Sequence, residues 1–296
     1  MRHVLQTMFL EDCINNVDIK YQTFLTASKE CYYTYANIPS LSLYYNLFTF
    51  KKNADYKTFE KLHTQKHYEV IKLSTDKIKQ NNYNTHHILF LYGYVCSIYL
   101  FYHLEDYINQ KAKSYTKKGK MRKYSSVIKH IESQLYEERY NEKINKFKLK
   151  IKELKIEDQT FELINDILSQ LFYSSNGIDI VKIGYKNFLK YQKKNFKNIK
   201  IFNQFICGLL DTFTRAKKYS AASIYNRYNS KKDYLNKENK SWIKNGEECD
   251  YSFYQIYQEA LSEATKLLNL INEEIFYNAK NEKQIKLLLS RLKNKE

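Results

Sequence analysis

One proline and six glycines in 296 residues is the feature that most restricts this chain. Sheets and barrels need a turn every few residues, and proline and glycine are the usual turn residues. A chain this poor in both is expected to be all-α, and the apolar spacing agrees. Helices are expected near 4–16, 19–34, 56–80, 84–109, 122–150, 157–173, 178–195, 198–217, 219–237, 251–277 and 281–294. In 251–277, Phe253, Ile256, Tyr257, Ala260, Ala264, Leu267, Leu268 and Ile271 recur three or four apart and form one apolar stripe. Ser252 and Gln255 have capping-box spacing at its start.

No composition shift is strong enough to cut the chain, so a single domain over 1–296 is expected, with no repeat. The segment 110–123, QKAKSYTKKGKMRK, loses the apolar period and reads as a basic loop. The heavily charged 140–159 reads as the continuation of a helix. Residues 281–294 read as a closing amphipathic helix.

The longest apolar run, HILFLYGYVCSIYLFYHL at 87–104, carries four tyrosines. It is shorter and more polar than a span of about 20 apolar residues and reads as a buried central helix, so no transmembrane segment is expected. Glu11 and Asp12 come before any apolar region of signal-peptide length. Five cysteines at wide spacing include no Cys-x-x-Cys pair and suggest neither a thiolate zinc site nor a disulfide framework. Both observations suit a reducing, cytoplasmic setting. Cys96, in the most apolar helix, reads as a small core residue.

The formal net charge of +17 invites a polyanion partner. Arginine, the residue preferred for bidentate phosphate contacts, occurs only at positions 2, 122, 139, 215, 227 and 291. The lysine excess accompanies abundant Asn, Ile and Tyr, all with AT-rich codons, and compositional drift accounts for it better than selected binding. Weak, non-specific binding to anionic lipid or nucleic acid is the expectation.

Several strings look like the framework of a metal site: IPSLSLYY at 38–45, LHTQKHYEVI at 62–71, FLYGYVCSIYLFYHLEDYI at 90–108, SVIKHIESQLYEE at 126–138, and DYLNKENKSWIKNGEECDYSFYQIYQEA at 233–260. Over most of its length the chain resembles the bacterial zinc-dependent phospholipase C-like family. That resemblance implies an all-helical domain of the phospholipase C/nuclease type. Its zinc ions would supply hydroxide near neutral pH and neutralise phosphate oxygens. Imidazoles and carboxylates must then converge on one point.

Position by position, the resemblance implies a dismantled site. Ser40 stands where the family has a metal-bridging Asp, the usual candidate for the base. His63 matches a ligand histidine, and His67, four residues on, shares its helix face. A His-x3-Asp-x3-His set maps onto Ser97, Phe101 and Glu105, of which only Glu105 could ligate; His103 lies on another face. A His-x3-Glu pair maps onto Ile128 and Glu132, with His130 facing away. Gln6 stands for an N-terminal histidine, with His3 as the alternative register. The retained metal candidates are thus His63, Glu105 and Glu132, and the degenerate positions are Gln6, Ser40, Ser97, Phe101 and Ile128. A buried Glu132 without metal is expected to find a Lys, Tyr or water partner. Trp242 and the Asp-Tyr-Leu-Asn string look like packing and loop-ordering elements.

One His and two carboxylates could hold at most one weak zinc, so no cofactor is expected beyond that, and catalytic residues stay unassigned. The implied function is a non-catalytic interaction or scaffold protein with an unidentified protein partner. The rivals are a phosphodiester hydrolase with a rebuilt site using His63, His67, His103, Glu105 and Glu132, and a basic module for nucleic acid or anionic lipid. Metal content separates the first two, and salt-dependent polyanion affinity marks the third.

Overall fold

The computed structural model describes residues 3–41, 61–62, 64–115, 120–144, 147, 157–174, 177–195, 232–244 and 246–292. Among these residues the protein is mostly helical. Its helices are α1 (His3–Asn16), α2 (Ile19–Ala27), α3 (Lys29–Ala36), α4 (His67–Gln80), α5 (Thr85–Tyr115), α6 (Lys120–Tyr140), α7 (Asp158–Phe172), α8 (Gly177–Asn195), α9 (Phe253–Tyr277) and α10 (Glu282–Ser290). A 3-10 turn spans Ile38–Ser40. One antiparallel hairpin, β1 (Trp242–Lys244) with β2 (Glu247–Cys249), is the addition to the expected all-α design.

The chain divides into two compact units. One comprises Met1–Met8, Phe101–Leu149 and Lys190–Ala260; the other comprises Phe9–Leu100, Lys150–Leu189 and Leu261–Glu296. Each is assembled from three separated stretches. The division is therefore not a cut between two contiguous halves of the sequence.

Several expected element ends are corrected. The helix expected over 19–34 breaks at Ser28 into α2 and α3. The helix expected over 56–80 is interrupted: Lys61 is helical, and α4 begins only at His67, behind Lys66 at φ 56°, a left-handed conformation that cannot continue a helix; 56–60 and His63 lie outside the described residues. The basic loop expected at 110–123 is helical on both sides, since α5 runs through Tyr115 and α6 opens at Lys120; only 116–119 lie outside the description. The helix expected to run through 122–150 and on past 140 stops at Tyr140, where Asn141 takes φ 51°. The helix expected over 198–217, and that over 219–237 up to 231, lie outside the described residues, and 232–237 is not helical.

In the unit containing Phe9–Leu100, α5 supplies the core. Leu89, Phe90, Leu91, Tyr92, Tyr94 and Val95 are fully buried. Although α5 is long and apolar enough to cross a bilayer by composition, 89% of its most apolar stretch is buried inside the protein. Gly93 lets α3 approach closely, because a Cβ there would sit 2.6 Å from the Ala36 nitrogen. The core-helix reading of Cys96 holds: its Sγ is 1% exposed as a residue and lies 3.0 Å from the Tyr32 hydroxyl.

In the other unit, α5 continues with a polar face at positions 103, 107, 110 and 111, which stack one above another at helical spacing. That face holds the non-helical segment 232–252. The Tyr107 hydroxyl donates to the Tyr234 carbonyl at 2.6 Å, and its ring meets Trp242 edge-on at 5.2 Å. Lys111 Nζ donates to Asn236 Oδ1 at 2.8 Å and to the Asp233 carbonyl at 3.3 Å. Asn236, fully buried at φ 53°, donates to the carbonyls of Lys240, Asp250 and Tyr251. The Trp242 indole donates to the Tyr251 carbonyl at 2.9 Å. The expected capping box opens α9: Ser252 N donates to Gln255 Oε1 at 2.7 Å and Gln255 N to Ser252 Oγ at 3.3 Å. The apolar stripe behind it, from Phe253 to Ile271, is buried throughout.

Candidate functional site

Glu132 carries the most informative geometry among the positions singled out from the sequence. It lies on α6, 6% exposed, and its Oε1 accepts from the backbone N–H groups of Val4 and Leu5, each at 3.1 Å. These amides lie in the first turn of α1, where N–H groups lack intrahelical partners. The carboxylate caps a helix distant in sequence and sits where the helix dipole favours negative charge. Burial nevertheless dominates and pushes its carboxyl up to about 7, against the amides of Leu5 and Val4 and the Lys129 ammonium. Backbone amides are thus partners of this carboxylate beside the Lys129 ammonium. Sequence could not show this, because a backbone amide leaves no residue-type signature.

One turn before Glu132, where the resemblance puts a histidine, Ile128 is 1% exposed in the apolar core. His130, two residues from Glu132, points elsewhere and stacks on the Tyr234 ring at 4.5 Å, and burial drives its imidazole down to about 4. In the same unit Gln6 is buried on α1, while Phe101 and Glu105 are half-buried on α5. The Phe101 ring packs edge-on against Tyr102 at 5.8 Å. His103 pairs with Glu259 at 3.7 Å. That contact, and Lys244 after it, hold the Glu259 carboxyl down to about 2.

The remaining positions fall in the other unit. Ser97 is buried on α5. Ser40 ends the 3-10 turn, and its side chain, like the whole of His63, lies outside the described residues, as does the His3 side chain in the first unit. His67 is buried, with its Nδ1 2.8 Å from the Tyr94 hydroxyl, which donates to the Leu62 carbonyl at 3.1 Å. With the phenol proton committed to Leu62, His67 Nδ1 is the donor to Tyr94.

Among the described residues no group of three or more His, Cys, Asp or Glu side chains is placed to hold a metal ion. The described positions do not fit a zinc cluster. Ile128 and Phe101 have no donor atom, and Glu132 spends an oxygen on two amides.

One constellation was not foreseen. His86 Nδ1 lies 2.6 Å from the Tyr35 hydroxyl and its Nε2 lies 2.8 Å from Glu157 Oε1. Asn84 Oδ1 accepts from the His86 and His87 amides and so caps α5. Asn-x-His-His before an apolar run is the signal that could have found it. Tyr35 is 2% exposed and its phenol is pushed up by burial. Its hydroxyl cannot meet a substrate, and the chain of bonds ties α3, α5 and the start of α7 together.

Compared with known protein families, characterised proteins and solved structures, the chain matches none.

Proposed function

We propose that this chain is a non-catalytic helical protein of the zinc-dependent phospholipase C type, acting in the cytoplasm through its surface as an interaction or scaffold protein. The observation that carries the reading is the use made of Glu132. As the carboxylate retained from an expected His-x3-Glu ligand pair, it caps α1 through Val4 and Leu5, and its partner position is the core residue Ile128. Phosphodiester hydrolysis of this type needs a metal-bound hydroxide and charge neutralisation at phosphate. Glu132 in a capping role supplies neither. On this reading the protein holds no resident metal, or at most one weak zinc at His63, Glu105 or Glu132. Contacts with anionic lipid or nucleic acid are weak, non-specific and lost with salt.

The test is elemental analysis of purified protein together with hydrolysis assays on phosphatidylcholine and a chromogenic phosphodiester. The expected result is less than one zinc per chain and no turnover above background. Zinc-dependent turnover, abolished by chelator and by His63→Ala, would overturn the reading and install the hydrolase with a rebuilt site.

A further inference from the structure

The register of the hairpin identifies one outward-facing pair of backbone groups. Opposed residues in an antiparallel ladder alternate between pairs that exchange both backbone bonds and pairs that exchange none. Trp242, Ile243 and Lys244 oppose Cys249, Glu248 and Glu247. The Gln110 side-chain amide takes both backbone groups of Ile243 from outside the ladder: Ile243 N donates to its Oε1 at 2.9 Å, and its Nε2 donates to the Ile243 carbonyl. Ile243 and Glu248 are therefore the non-exchanging pair, so the Glu248 N–H and C=O face away from β1. Gln110 serves β1 as a one-residue substitute strand. Among the described residues nothing does the same for Glu248.

Charge and apolar surface say what suits this edge. The neighbouring cations are already engaged, Lys237 with Glu138, Lys240 with Glu238 and Lys244 with Glu259. Glu247, Glu248 and Asp250 have no cation partner among the described residues, and Glu248 accepts from the Ser241 hydroxyl. Ile243 and Tyr251 beside them are 51% and 41% exposed. On a chain of net charge +17 this is a locally acidic edge with apolar surface. Two such edges would repel each other, which disfavours edge-to-edge pairing of copies. A strand with Lys or Arg side chains complements both the open backbone pair and the carboxylates.

We propose that the β2 edge is a docking site for an extended basic segment of a partner protein. The segment bonds the backbone of Glu248 and sets its cations against Glu247, Glu248 and Asp250. This goes beyond the reading above and uses none of the zinc positions.

The experiment titrates labelled nine-residue peptides against the full chain by fluorescence anisotropy: an alternating Lys–Val peptide, the same sequence N-methylated at the backbone nitrogens of its lysines, and an alternating Glu–Val peptide. The Lys–Val peptide is expected to bind. The N-methylated version, which lacks the lysine N–H donors that face Glu248, and the Glu–Val version should each bind at least about tenfold more weakly. The E247K/E248K double variant should lose Lys–Val binding by a similar factor while Trp242 emission, reporting the intact hairpin, stays unchanged. Three results would overturn the proposal: no Lys–Val binding, equal binding of the N-methylated peptide or the double variant, or concentration-dependent self-association that the double variant abolishes. Zinc content and phosphodiesterase activity do not enter this readout, so its failure is distinguishable from failure of the non-catalytic reading.

Discussion

Glu132→Gln is the sharpest perturbation of the α1–α6 contact, because it keeps an acceptor oxygen for Val4 and Leu5 while removing the charge. In the folded chain the carboxyl titrates at about 7, against an ordinary 4.5. Between those values the native state holds a proton that the unfolded state has released, so stability falls as pH rises. The contribution is fully present below 4.5 and lost as pH rises through 7. A shift of that size, at about 1.4 kcal/mol per unit, corresponds to about 3 kcal/mol. Denaturant unfolding of both proteins in chelator from pH 4 to 8 reads this directly. The two should be close in stability near pH 4, and Glu132→Gln should become the more stable by up to about 3 kcal/mol at pH 8. A difference that does not vary with pH would refute the argument. So would a Glu132→Gln protein that loses stability relative to wild type as pH rises, the sign expected of a carboxylate held by a resident cation.

Two further outcomes test the packing and the loop. Gly93→Ala should destabilise the protein by at least about 1–3 kcal/mol, read as a lower denaturant midpoint, since the new Cβ would meet Ala36 backbone atoms at 2.6 and 2.8 Å and backbone gives way poorly. Asn236→Ala should cost at least about 2 kcal/mol, because three carbonyls and the Lys111 ammonium lose a buried partner. Emission from Trp242, the sole tryptophan, should report loosening of 233–251 before the helices melt.

The helices were readable where burial follows a repeating pattern. The α9 stripe and its cap needed only spacing and two side chains, Ser252 and Gln255. Helix ends were less readable. Lys66 and Tyr173 take left-handed φ values without being glycine or asparagine, so the residue type gives no warning there, whereas Asn141 is of a type that favours that region. Three-residue strands are too short to show a period of two, but the Asn-Gly pair at 245–246 between them is a hairpin turn signal that the sequence does carry, and Gln110 of α5 adds bonds to the edge of β1. The candidate site was readable only as residue types. Glu132 is buried and engaged, but its partners are main-chain atoms 127 and 128 positions away.

That last point explains why polar residues in this chain invite a metal reading. In the unit built around Phe101–Leu149, several polar side chains are directed at main chain. Glu132 takes the amides of Val4 and Leu5, Tyr107 the carbonyl of Tyr234, Trp242 the carbonyl of Tyr251, and Asn236 three carbonyls at once. Lys111 puts an ammonium, whose proton burial makes easier to lose, between a carbonyl and an amide oxygen. Each bond satisfies a group that burial would otherwise leave unpaired, at about 1–3 kcal/mol apiece. A chain with one proline and six glycines has few turn residues to order a long non-helical segment. It orders 232–252 with side chains from α5 instead. Conserving charge and amide groups inside a helical framework is what a metal site does, and it is equally what backbone capping does. Spacing along a helix cannot separate the two, whereas the identity of the atom at 3 Å can.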